Sequence, residues 1–208
     1  CYVDGDLSEW TGEDKKFDTG EKSLSMKYDE RFIYLLAYEK GFSNGEKKLY
    51  IPLDVTPNTG STYCENYGLR FTRPADFVLT IDGADNSRLE VQERYEVLRA
   101  MFYHETHNED AYLVPPDADT PVFKPINLML QTATPLLTGN WLASSEVYET
   151  GKLSYGNADP SSPDYNSLAD FVFAGDYVEL KLPWQLLNFA DPSRMTIHDD
   201  YYNDNYGV

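Results

Sequence analysis

Short apolar-rich runs cut by turn residues follow one another along most of the chain, and a chain punctuated this way closes a core most readily as an antiparallel β protein. Residues 23–28 and 31–39 are two such runs meeting at Asp29-Glu30, which reads as a hairpin. Residues 48–55 follow and stop at the turn sequence Thr56-Pro57-Asn58-Thr59-Gly60. The pattern continues through 68–72, 76–82 and 88–103, the last two parted by an acidic turn at 81–86. Leu89, Val91, Glu93, Tyr95 and Val97 place a largely apolar set at every second position, as on one face of a half-buried strand. Residues 127–132, 145–149 and 176–182 supply later strands. Only 183–189 reads as helical, with Pro183 in its first turn and Asp191-Pro192 beyond its end. A chain of 208 residues with 17 Tyr, 10 Phe and 3 Trp has ample apolar area for one core. The expectation is therefore a single all-β domain over residues 1–208. It would be an antiparallel β-sandwich of two packed, jelly-roll-like sheets, with long loops and one short helix near the C-terminus.

Two stretches break the rhythm. Residues 104–125 are polar and acidic and carry four prolines, so they read as a surface excursion, mobile and dispensable for folding. Residues 157–166 form a second loop, and long loops on a rigid β scaffold are where binding residues tend to sit.

Charge narrows the partners. Seventeen basic residues against 35 acidic ones leave a net charge of −18, a field that repels phosphate backbones and anionic lipid. Nucleic acid is excluded as a partner, while neutral ligands and cations remain open. The longest apolar run, Phe32 to Tyr38, falls far short of the ~20 residues that cross a bilayer, so no membrane insertion is expected. The chain opens with neither a Met nor a basic-then-apolar leader, which reads as a piece of a larger multidomain chain. Cys1 and Cys64 allow at most one bridge, and whether they pair stays open.

Catalytic motifs are largely missing: there is no glycine-rich phosphate loop, no nucleophile elbow and no Cys-x-x-Cys. His104 and His107 are three apart in a loop rather than four apart on a helix, and read as solvated histidines. The N-terminal segment Val3-Asp4-Gly5-Asp6-Leu7-Ser8-Glu9-Trp10 is richer. Asp4, Asp6 and Glu9 surround a glycine bend, and a hard cation such as calcium takes several oxygen ligands on a bent backbone. An acidic turn leading into a core Trp fits the same residues. Tyr63, Tyr67, Trp141, Tyr155 and Tyr165 sit in or beside polar turns, where a ring can lie against the C–H face of a sugar. Trp141 follows Thr138-Gly139-Asn140 and Tyr155 precedes Gly156-Asn157, so Asn140 and Asn157 stand ready to bond hydroxyls. Packing between strands is the competing role for each ring, and Trp184 in its apolar turn reads as core.

The segments Val3–Trp10, Met26-Lys27-Tyr28-Asp29-Glu30-Arg31-Phe32-Ile33-Tyr34-Leu35, Leu49-Tyr50-Ile51-Pro52-Leu53-Asp54 and Val178-Glu179-Leu180-Lys181-Leu182-Pro183-Trp184 resemble family 9 carbohydrate-binding modules, which belong to the DOMON-like β-sandwiches. The resemblance covers residues 2–55 and 176–189. It implies two packed antiparallel sheets, a structural calcium at the N-terminal segment, and a non-catalytic glycan-binding role beside a secreted or surface polysaccharide-active enzyme, hence an extracellular or cell-surface location. The family's ligand-clamping aromatics fall outside the matched segments. The binding residues expected here are thus those read from the loops: Trp141, Tyr155, Asn140, Asn157, Tyr67 and Tyr165. A structural or protein-interaction sandwich with a structural calcium is the alternative, and a glycoside hydrolase using a carboxylate pair is a third.

Overall fold

The structure is a computed structural model that describes residues 2–98, 115–198 and 202. Strands β1 (Lys15–Asp18), β2 (Lys22–Tyr28), β3 (Phe32–Glu39), β4 (Leu49–Leu53), β5 (Ser61–Cys64), β6 (Leu69–Ala75), β7 (Phe77–Ile81) and β8 (Arg88–Gln92) occupy the first half. The second half holds β9 (Phe123–Pro125), β10 (Asn127–Gln131), β11 (Thr134–Pro135), β12 (Trp141–Ala143), β13 (Glu146–Glu149), β14 (Phe171–Ala174), β15 (Tyr177–Pro183), β16 (Phe189–Asp191) and β17 (Thr196–Ile197). Short 3-10 turns join them, among them Leu7–Glu9, Glu93–Tyr95, Trp184–Leu187 and Pro192–Arg194. The chain is all-β, built of antiparallel pairs that include β1–β2, β2–β3, β3–β15, β14–β15, β5–β6, β8–β9 and β10–β13. The one helical segment read from the sequence is the 3-10 turn at Trp184–Leu187; the remaining turns of that kind follow Asp, Thr, Gln and Asp caps.

The described chain divides into two compact units, each assembled from three stretches. The first comprises Cys1–Ile51, Leu79–Arg88 and Leu153–Ile197; the second comprises Pro52–Val78, Leu89–Lys152 and His198–Val208. A four-stranded sheet runs in the order β4-β7-β8-β9.

In the first unit, five strands lie in the order β1-β2-β3-β15-β14. The β2–β3 hairpin turns at Asp29-Glu30 as the sequence indicates, with Tyr28 opposite Ile33 and Met26 opposite Leu35. Strand β15 then adds to β3 with Pro183 opposite Phe32 and Leu180 opposite Leu35. It is buried on both faces: Val178, Leu180 and Leu182 are fully buried on one, and Glu179 on the other. Val172 stands opposite Glu179 across β14–β15 and belongs to a core cluster with Val3, Ala158 and Ala169. Directly opposite residues share a sheet face, so the N-terminal segment packs on the face that carries Glu179.

In the second unit, β5 and β6 form a hairpin and β8 pairs with β9 through Val91 opposite Lys124. Fully buried Asp76 holds the preceding turn by accepting from Val55 N at 2.8 Å and Thr56 N at 2.6 Å. The turn needs a left-handed residue at Gly60 (φ +97°), where a Cβ would press on the Ala75 backbone. A long hairpin extends over 127–149, with β10 pairing β13 and, nearer its tip, β11 pairing β12.

Two expectations are corrected here. The strand expected over 88–103 ends at Gln92; Glu93–Tyr95 is a 3-10 turn and Val97-Leu98 opens a helical segment. Leu89, Glu90, Val91 and Gln92 are all buried, so this strand is covered on both faces rather than half-buried, and Tyr95 reaches the core from the turn. The alternation of apolar residues was satisfied without an extended backbone beyond Gln92. The 104–125 stretch, of which 104–114 lie outside the described residues, is not all excursion. It ends in β9, where Phe123 is fully buried and the Gln92 amide donates to the Ala118 and Thr120 carbonyls at 3.1 and 2.9 Å. That half-way anchoring makes its C-terminal part structural.

Candidate functional site

A cleft of about 580 Å³ opens in the first unit, lined by Tyr28, Asp29, Glu30, Trp184, Asp191, Pro192, Ser193 and Met195. Three turns build it. The first is Asp29-Glu30, whose conformation is set by the Asp29 carboxylate: Oδ1 accepts from Arg31 N and Phe32 N, both at 2.8 Å, and Oδ2 accepts from the Tyr34 hydroxyl at 2.8 Å. The second follows β15, where Pro183 leads into the Trp184–Leu187 turn and Asn188 closes it in the left-handed region (φ +69°). Trp184 Nε1 donates to the Asp29 carbonyl at 2.8 Å and so ties the second turn to the first. The third is Asp191–Met195, capped by Asp191 Oδ1, which accepts from Ser193 N at 3.0 Å and Ser193 Oγ at 2.7 Å.

The aromatic floor is ordered by ring contacts. Trp184, 5% exposed, packs edge-on against Phe189 at 4.8 Å between centroids and against Tyr28 at 6.0 Å. Tyr28 itself is 71% exposed, so its ring is held in place while leaving a face to solvent. Met195 adds a second exposed apolar surface from a left-handed backbone (φ +53°).

Electrostatics define what the cleft can do. Burial opposes ionisation of Asp29, yet the Arg31 and Phe32 N–H groups and the Tyr34 hydroxyl together hold its carboxyl below the usual range. Tyr34 answers in the opposite sense, pushed up to about 12 by burial and by its bond to Asp29. The Ser193 hydroxyl and N–H, with Arg194 alongside, keep Asp191 low as well. Both acids are thus charged acceptors at neutral pH.

The residues read from the sequence fall in both units. In the first, Tyr155, Asn157 and Tyr165 share a loop cluster, where Asn157 bridges to Tyr165 and Tyr155 to Phe171. Tyr155 is 41% exposed and Tyr165 48%. The Tyr155 ring leans on Phe171 and Phe173 at 5.4 and 5.1 Å, so it serves packing and surface at once. The Asn157 amide is occupied by the fold, donating to the Asp4 carbonyl at 3.1 Å and accepting from Asp159 N at 2.8 Å. In the second unit, Asn140 lies at the exposed tip of the long hairpin, its carbonyl accepting from Leu136 N at 2.7 Å, and Trp141 opens β12 opposite Pro135. Tyr67 is half-buried and its hydroxyl donates to the buried Glu90 carboxylate.

At the N-terminal bend Asp4 and Asp6 serve the backbone. Asp4 Oδ1 accepts from Asp6 N at 2.8 Å, and Asp6 Oδ1 caps the Leu7–Glu9 turn by accepting from Ser8 N at 2.9 Å. The Ser8 N–H and hydroxyl hold Asp6 low. Among the described residues, no group of three or more His, Cys, Asp or Glu side chains is gathered where it could hold a metal ion. The residue that organises this bend is Glu179. Its carboxylate accepts from Asp4 N at 3.1 Å, Gly5 N at 3.0 Å and Trp10 Nε1 at 2.8 Å. Burial pushes its carboxyl up, against the pull of these donors.

Glu179, Tyr28 and Asp191 were not singled out from the sequence. The acidic turns at Asp29-Glu30 and Asp191-Pro192 were visible, but only the pairing of Pro183 with Phe32 brings them to one cleft. Cys64 is a free, buried thiol, pushed up by burial, and Cys1 lies outside the described residues, as do His104 and His107. No helix among the described residues is long and apolar enough to cross a membrane. Fold and cleft together define a class: an all-β protein with an aromatic floor rimmed by carboxylates. No protein-family profile, curated protein or solved structure matches the chain.

Proposed function

We propose that this chain is a non-catalytic carbohydrate-binding module of β-sandwich, jelly-roll-like build, carried by a larger extracellular or cell-surface protein. The observation that carries the reading is the cleft in which a 71%-exposed Tyr28 ring is held edge-on by Trp184 and flanked by Glu30, Asp191 and Ser193. A volume of about 580 Å³ suits one or two sugar rings. A sugar stacks its C–H face on the tyrosine and offers its hydroxyls to charged acceptors and a serine. Tyr155 and Tyr165 supply a second exposed aromatic surface in the same unit, and the hairpin tip at Asn140, next to Trp141 in the chain, is a third place, in the other.

The non-catalytic character is supported by the acids. Glycoside hydrolysis needs one carboxyl raised enough to hold a proton at working pH. In the cleft, Asp29 and Asp191 are both held low. Asp76, Asp170 and Glu179, whose carboxyls burial pushes up, do not line it. Calcium at the N-terminal bend belongs to the same reading, with one or two carboxylates from Asp4, Asp6 and Glu9 joined by backbone carbonyls. Coincident melting curves in EDTA and in excess calcium would remove it.

A glycan array on the purified chain, followed by calorimetry, tests the function. Tyr28→Ala is expected to weaken binding by at least about tenfold, since a stacked ring is worth roughly 1 kcal/mol or more. The exposed ring predicts intact folding. Binding that survives Tyr28→Ala but falls with Trp141→Ala or Tyr155→Ala moves the site to the loops. An array without a hit overturns the reading.

A further inference from the structure

The hairpin over 127–149 is the least protein-like surface of the described chain. Leu128, Leu130, Leu136, Leu137, Leu142, Val147 and Tyr148 are all exposed, Leu137 fully and Leu128 and Leu130 at 53% and 55%. From Pro125 to Ser145 no residue is charged, in a chain where 25% of residues are. Exposed apolar side chains gathered on one hairpin mark an interaction site. Its strands are also unfinished. Among the described residues β10 pairs only with β13, which leaves one edge of β10 with backbone donors and acceptors to offer. An isolated two-stranded ribbon is marginal in water, and an open apolar edge is a template for another strand.

What the edge would accept is written in β10. Its sequence, Asn127-Leu128-Met129-Leu130-Gln131, reads alike from either end: amide, leucine, methionine, leucine, amide. Laid antiparallel on a second copy of itself about Met129, it sets Leu128 against Leu130, Met129 against Met129 and Asn127 against Gln131. Directly opposed apolar pairs and amide pairs both favour such a ladder. The other strand of the hairpin does not offer this, because β13 carries Glu146 and Glu149 and self-pairing would oppose like charges. The absence of charge on β10 matters doubly here, since two copies at −18 each repel everywhere else.

We infer that β10 is a homodimerisation edge, two copies joining their hairpins about a two-fold axis at Met129 into a four-stranded antiparallel sheet. The axis is normal to the sheet, so Leu128 and Tyr148 of both copies come onto one face. In the hairpin Leu128 already stands opposite Tyr148, and β10 shifts register against β13 between Met129 and Gln131, so that Leu130 has no opposite residue there. The contact is isologous and closes at two copies. A bilayer is the poorer occupant, because the hydrocarbon region does not admit an open strand edge.

Sedimentation over a concentration series reads the inference directly. The intact chain is expected to pass from monomer to dimer, and Leu130→Lys to weaken the dimer at least about tenfold, by placing a lysine against Leu128 of the second copy. Register is read by oxidative crosslinking, with opposed strand positions within disulfide reach. Met129→Cys should crosslink with itself. Leu128→Cys should crosslink when mixed with Leu130→Cys and much less alone. Circular dichroism of each variant separates loss of pairing from loss of fold. A well-folded chain that stays monomeric to roughly 100 µM overturns the inference. So does crosslinking that is indifferent to position, or a monomer that floats with phosphatidylcholine vesicles.

Discussion

The five-stranded sheet of the first unit and the long hairpin of the second are built from similar residues and end in opposite situations. In β14 and β15, Phe171, Val178, Leu180 and Leu182 are fully buried; in the hairpin, Leu128, Leu130 and Leu142 are exposed at 53%, 55% and 70%. Composition does not separate them. Partners do: β15 has a strand on each side and chain on both faces, whereas among the described residues β10 has one strand on one side. Apolar content thus stabilises the protein only where a second layer removes it from water; elsewhere it becomes surface to be recognised.

The largest test of that contrast is a pair of equal truncations. Leu180→Ala should cost about 2–5 kcal/mol in chemical denaturation, because a well-packed site cannot collapse around the lost atoms. Leu142→Ala should stay within about 0.5 kcal/mol. Equal losses would show the hairpin to be packed.

Glu179 sharpens the same comparison, as the polar residue that the packed region tolerates. Glu179→Gln should destabilise by about 1–3 kcal/mol at acid pH, since the amide replaces an oxygen acceptor with a donor facing N–H groups. Its pH dependence has a definite sign. The folded carboxyl titrates above its ordinary value, so the folded state binds the proton more tightly than the unfolded one. The contribution is fully present below about 4.5, the ordinary value for Glu, and is lost as pH rises through the raised folded value. The wild-type stability should therefore fall relative to Glu179→Gln over that window, with Trp10 fluorescence reporting the bend. A difference that grows with pH instead would contradict the raised carboxyl.

The smallest effect is at the hairpin tip. Leu137→Ser should leave the melting temperature unchanged, because a fully exposed side chain loses no burial. A measurable drop would mean that something covers the tip in solution.

Much of the first unit was legible in its sequence. The Asp29-Glu30 turn is a local event, settled by a carboxylate that reaches the next two N–H groups, and the runs on either side of it alternate or fill as strands do. The end of β15 at Pro183 and the turn at Trp184 follow from proline chemistry within a few residues. The stretch after Gln92 was not legible, because an apolar residue at every second position fits both a strand and the 3-10 turn that delivers Tyr95 to the core. Of the site, Tyr155, Asn157 and Tyr165 were found as loop residues, but the bond from Asn157 to the Asp4 carbonyl joins positions 153 apart.

By itself, then, the sequence determined the β character of the chain, its turns, its core Trp184 and its forbidding charge, all properties of neighbouring residues or of sums over them. Tertiary structure alone decided which acid is buried, which rings face water and where a cleft opens. Glu179 looks in the sequence like any exposed strand acid alternating with Val178 and Leu180; it is buried because the N-terminal bend folds over it and satisfies both oxygens. Tyr28 and Asp191 meet only because β15 pairs with β3 in the register that sets Pro183 opposite Phe32. Such outcomes depend on long-range partners, and the free energy of burying a charge or exposing a ring is fixed by what stands across from it.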